Sequence, residues 1–147
     1  MPAKPIPEGY HSVTPYLIAA NPAGLIDFLA AAFGGTVKER LDRPDGMVMH
    51  AEVRIGDSLV MTGAASAANP PQPATLHLYV ADADATYRRA LEAGATSVRA
   101  PTEQFYGDRT GGVRDPAGNT WWIGTHIEDF SPAELRTRAA AFMAKQA

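Results

Sequence analysis

The residues best suited to chemistry in this sequence are few and are spaced in a pattern. His50, Glu52 and Arg54 alternate along one stretch, so that in a strand they share a face. Glu52 there suits a general acid or base, tuned by burial and by His50, with Arg54 or Arg109 fixing an anion. His77 adds a second imidazole, and two imidazoles with one carboxylate (His50, Glu52, His77) would suit zinc or iron. His126 and Glu128 make a second alternating pair. In Tyr106-Gly-Asp-Arg109, Arg109 could hold an anion and Tyr106 could stack on a ring, or Asp108 and Arg109 could simply pair with each other. Each motif has a plain structural use too. His-x-Glu is a common strand pattern, and a charged strand face is often only solvated.

The elements that must position these groups come from a repeat. Tyr16-Leu-Ile-Ala-Ala-Asn-Pro, an apolar-periodic stretch and Phe33-Gly34-Gly35-Thr36 correspond to Leu76-His-Leu-Tyr-Val-Ala-Asp, another periodic stretch and Ala93-Gly94-Ala95-Thr96. Each predicts a strand, a capped helix, a glycine stop and a new strand. Three strand-like runs follow each helix: 36–41, 47–55 and 58–61, then 96–100, 112–114 and 120–124. Their joints, Arg43-Pro-Asp-Gly46, Gly56-Asp57 and Asp115-Pro-Ala-Gly-Asn119, carry turn chemistry. The result is one α+β domain over 1–147: a first βαβββ module at about 12–63, a linker at about 64–74, a second module at about 75–126 and a C-terminal helix at about 132–145. The helix opens on the capping pattern Ser131-Pro-Ala-Glu134. Its Leu135, Ala139 and Phe142 form one apolar stripe, expected to dock on this chain or on a second copy.

Composition narrows the classes. The 147 residues can bury a core unaided, and the net charge of -3 gives no reason to expect nucleic acid or an anionic membrane as partner. Without cysteine, disulfides and thiolate chemistry are excluded. No P-loop, dinucleotide glycine fingerprint or nucleophile elbow occurs. No signal-peptide pattern or membrane span is legible, and the expectation is a cytoplasmic protein.

The repeat, with Tyr106-Gly-Asp-Arg109, Asp115-Pro-Ala-Gly-Asn119-Thr-Trp-Trp and Thr125-His-Ile-Glu-Asp129, resembles the PhnB-like branch of the vicinal oxygen chelate superfamily over roughly residues 12–129. That superfamily includes glyoxalase I, bleomycin-binding resistance proteins and extradiol dioxygenases. The resemblance implies an eight-stranded, cup-shaped mixed sheet with helices outside, and commonly a homodimer.

Strand alternation predicts which side chains line the cup. Thr14, Tyr16 and Ile18, then Val48, His50, Glu52 and Arg54, then Ser58 and Val60 face in from the first module. Thr75, His77 and Tyr79, then Thr120, Trp122 and Gly124 face in from the second. Val13, Met49, Leu59 and Met61 are expected under the helix. Metal-dependent relatives carry His or Glu on the first and last strand of each module. The resemblance places Thr14, Val60 (or Met61, one residue on), Thr75 and Trp122 there, none a credible ligand.

The preferred expectation is therefore a homodimeric protein that binds a small aromatic or amphipathic molecule without metal or other cofactor. Its candidate ligand residues are Tyr16, His50, Glu52, Arg54, His77, Tyr79, Tyr106, Arg109 and Trp122. The alternative is a lyase, isomerase or dioxygenase-type enzyme using Glu52 as acid or base, or zinc or iron at the displaced site His50, Glu52 and His77.

Overall fold

The computed structural model describes residues 2–147. Strand β1 (Tyr16–Ala19) leads into helix α1 (Pro22–Phe33), followed by β2 (Thr36–Asp42), β3 (Val48–Ile55) and β4 (Ser58–Ala64). The second module repeats this as β5 (Thr75–Tyr79), α2 (Ala83–Glu92), β6 (Thr96–Glu103), β7 (Asp108–Arg114) and β8 (Thr120–His126). Helix α3 (Pro132–Gln146) ends the chain.

The helices start where the sequence supplies caps. Asn21 Oδ1 accepts the Gly24 N–H at 3.1 Å, Asp82 that of Ala85 and Ser131 that of Glu134, each worth about 1 kcal/mol. α1 ends at Gly34, whose φ of 68° suits a residue without Cβ.

The eight strands form two four-stranded mixed sheets of identical order, β1-β4-β3-β2 and β5-β8-β7-β6. In each, the first and last strands of the module pair in parallel and the remaining neighbours are antiparallel. α1 packs on the first sheet, α2 on the second, and the two helices pack on each other. One hydrophobic core results. Leu17, Leu25, Leu29, Val53, Val113 and Ile123, each 1% exposed or less, belong to it. Phe33 of α1 meets Trp121 of β8 with ring centroids 4.9 Å apart. The helices thus lie between the sheets, and the other face of each sheet is open.

Alternation assigns most faces as expected, with three corrections. First, β1 begins at Tyr16, and Val13, expected under the helix, is 85% exposed. Second, β3 carries a bulge opposite β2. Leu41 pairs with His50 and Asp42 with Val48, so Met49 is the extra residue. Val48 therefore enters the core and Met49 turns out of it, the reverse of strict alternation. Third, the two-residue turn Gly56-Asp57 sets Ser58 opposite Ile55, so Val60 and Thr62 join the helix face. Leu59 and Met61 then share the open face with Arg54 and Glu52.

α3 stands apart from the core and buries none of its residues. It leans on the segment before β7: Arg138 donates to the Phe105 carbonyl at 2.6 Å and Phe142 meets the Phe105 ring at 4.8 Å.

Candidate functional site

On the first sheet, the open face gathers Tyr16 of β1 and His50, Glu52 and Arg54 of β3. The Tyr16 hydroxyl lies 3.2 Å from His50 Nδ1. The segment before β1 crosses this face. Tyr10 donates its hydroxyl to Glu52, Lys38 donates to the Glu8 carbonyl at 2.9 Å and stands over the Tyr10 ring, and Gly9 rests on Arg54 and Leu59. That cover explains why Leu59 is 4% exposed despite facing away from the helix. Tyr10 is thus a further candidate that alternation could not find, because it lies outside every strand.

On the second sheet, register places His77 beside Trp122 and Tyr79 beside Gly124 on the open face. β7 starts four residues earlier than the sequence predicts, at Asp108, so Asp108, Thr110 and Gly112 share that face. A depression of about 230 Å³ is lined by His77, Arg99, Tyr106, Thr110 and Trp122. Trp122 can lie flat there because position 112 is glycine: a Cβ on Gly112 would stand 2.5 Å from the indole ring. Arg99, not singled out by the sequence, sets its guanidinium carbon 5.0 Å from the Trp122 ring centroid.

At the rim, Asp108 is buried and doubly engaged. Tyr79 donates its hydroxyl to Oδ2 at 2.8 Å, and His126 Nδ1 lies 2.7 Å from Oδ1. His126 Nε2 lies 2.7 Å from Asp129, so one imidazole bridges two carboxylates. Those bonds, first to Asp108 and then to Asp129, raise the His126 pKa above its ordinary value. The bond to Asp108, with burial, likewise raises that of Tyr79 above its ordinary value.

Arg109 departs from its expected place. As the strand neighbour of Asp108 it points to the opposite face, where Nε and an Nη bond both oxygens of Asp84 on α2 at 2.7 and 3.0 Å. The pair pulls the Asp84 carboxyl below its ordinary range. Arg109 ties helix to sheet, and the structure does not bring it to the open face.

Within one chain the two sets of candidates do not converge. Tyr16, His50, Glu52 and Arg54 stand on one open face, His77, Tyr79, Tyr106 and Trp122 on or beside the other. Among the described residues no three His, Cys, Asp or Glu groups come together as a metal site, so His50, Glu52 and His77 form no cluster within the chain. At the four positions that the family resemblance assigns to metal ligands, the register favours Met61 over Val60 as the residue on the open face. Thr14, Met61, Thr75 and Trp122 offer hydroxyls, a thioether and an indole, a donor set that does not fit a divalent transition metal. A cavity of about 150 Å³ between the modules is lined by apolar residues such as Leu59, Val60, Leu76 and Trp121 together with the polar Thr14 and His77.

Comparisons with known proteins agree with this architecture. The model of the Glyoxalase/Bleomycin resistance protein/Dioxygenase superfamily matches residues 10–123. Uncharacterized protein Mb0911c of Mycobacterium bovis (strain ATCC BAA-935 / AF2122/97) is 35% identical over 136 residues, 85% of this chain and 90% of that protein. Uncharacterized protein Rv0887c of Mycobacterium tuberculosis (strain ATCC 25618 / H37Rv) is 35% identical over the same span and 80% covered. Among solved structures, TioX from Micromonospora sp. ML1 superposes with a TM-score of 0.68 at 25% identity, covering 80% of this chain and 99% of that one. A glyoxalase/bleomycin resistance protein/dioxygenase family enzyme from Burkholderia phytofirmans PsJN shares the fold, with a TM-score of 0.64 at 20% identity over 76% of this chain and 95% of that one. By sequence match and by topology, this chain belongs to the Glyoxalase/Bleomycin resistance protein/Dioxygenase superfamily.

Proposed function

We propose that this protein, a member of the PhnB-like branch, is a cytoplasmic homodimer that binds a small aromatic or amphipathic molecule without a metal. One observation carries the reading: two faces rich in aromatic and polar groups point away from the helix layer of one chain, the first crossed only by the segment at Gly9 and Tyr10. Tyr16 is 47% exposed and Met49 53% on the first sheet, and Tyr79 62% on the second. Exposed apolar side chains concentrated on two faces mark interaction or ligand surfaces. A two-fold dimer that sets the first sheet of one chain against the second sheet of its partner turns the two half-sites into two enclosed cups.

Two measurements test this. Sedimentation should give the mass of two 15.6 kDa chains, and a single-chain mass would overturn the dimer. A panel of ring compounds, followed by equilibrium dialysis, should include ligands whose binding is lost in Trp122→Ala, and binding unchanged in that variant would overturn the assignment of this face.

A second reading rests on the Tyr10–Glu52 contact, which places a half-buried carboxylate with a phenolic partner, suited to acid–base chemistry. In that case Glu52→Gln abolishes turnover of a bound ligand while leaving its affinity intact.

A further inference from the structure

The chemistry of the second open face says more about the ligand than its shape does. Thr110 is 1% exposed, and its hydroxyl is a buried side-chain polar atom with no hydrogen-bond partner among the described residues. Buried polar groups are nearly always satisfied, so an orphaned one facing a depression points to something that fills it. Arg99 lines the same depression. Its guanidinium stacks on Trp122 and makes a 3.3 Å bond to the Thr110 carbonyl, and among the described residues it forms no salt bridge. A guanidinium carries five N–H donors in one plane, and stacking on a ring leaves its edges free for a two-oxygen anion. Asp108, the buried acid of this face, is already held by Tyr79 and His126 and does not compete for Arg99.

We propose that this face is the anion-binding half of the cup and that its ligand is an aromatic carboxylate. Arg99 grips the carboxylate through two parallel N–H bonds, and the Thr110 hydroxyl donates a further one. The ring then lies toward His77 and Tyr106, whose side chains border the same depression. Gly112 is part of the device, since it lets Trp122 lie flat enough to support Arg99. This inference rests on the reading of the open faces as a small-molecule cup, and deepens it.

The chain has two tryptophans, so its indole N–H spectrum contains two signals, and only Trp121 is bonded to Asp115. The full-length protein is titrated with 2-naphthoate and, separately, with its neutral amide, 2-naphthamide. The Trp122 signal is expected to shift to saturation, with the acid binding about tenfold or more tighter than the amide. Arg99→Gln should remove that preference and leave the Trp121 signal in place, which certifies the fold. Thr110→Val should weaken the acid by a smaller factor. Equal binding of acid and amide, or an unchanged preference in Arg99→Gln, overturns the anion site while leaving the cup intact. Failure of both compounds to move the Trp122 signal overturns the cup reading and this inference with it.

Discussion

Phe33 and Trp121 meet at a centroid distance of 4.9 Å and so join the end of the first helix to the last strand of the second module. The contact belongs to the layer where the modules pack by their helix faces, an arrangement that leaves both proposed ligand faces outward. Phe33→Ala should cost about 3 kcal/mol, the usual toll for removing a packed aromatic ring. Denaturant unfolding should show a lowered midpoint, and the helical circular dichroism of the folded state should persist.

Asp115 anchors the turn that aims both tryptophans. Its carboxylate accepts bonds from the Ala117 and Asn119 amides, the Asn119 side chain and the Trp121 indole, at 2.8 to 3.0 Å. Asp115→Ala strands these donors in a buried place and should cost about 3 kcal/mol. The Trp121 indole N–H signal should move, a readout that general destabilisation alone does not give.

His126 makes stability depend on pH. Its folded pKa is raised above the ordinary 6.5 by Asp108 and then Asp129. The stabilisation is therefore complete below the ordinary value and is lost as pH rises through the folded one. Thermal unfolding across this range should show the wild type losing its advantage over His126→Gln at alkaline pH. An advantage that grew with pH would refute the assignment.

Gly112 is a test of space. Alanine there would bring its Cβ within 2.5 Å of the Trp122 ring, so the indole must lift from the sheet. Gly112→Ala should remain folded, show red-shifted tryptophan emission and lose affinity for ring compounds.

The repeat, the helix caps and the turns were legible because each rests on local chemistry: Asn21 with Pro22, Asp82, Ser131 and the Asp115–Asn119 turn all act within a few residues. The strand faces were legible only where alternation was unbroken. Val48 and Met49 exchanged places because the bulge against β2 depends on a partner strand, which the β3 sequence alone does not reveal. Leu59 misled because an apolar residue suggests a core face, yet it is the chain at Gly9 that covers it. The two-residue turn pairing Ile55 with Ser58 contained the correction. Arg109 looked like an anion anchor until the early start of β7 sent it to Asp84. Arg99 had no motif to announce it, and its position follows from an irregular stretch of β6 pairing.

If a complete site takes one face from each of two chains, mixing two differently damaged chains must restore it. One variant, Tyr16→Ala with His50→Ala, spoils the first face, and the other, Trp122→Ala, spoils the second. Each alone should fail to bind 2-naphthoate. Refolded together in equal amounts, half the dimers are mixed, and each mixed dimer holds one cup with both faces intact. Recovery of about a quarter of the wild-type binding capacity is expected. No recovery, in a mixture shown to contain mixed dimers, would place the site within a single chain and overturn the two-chain cup.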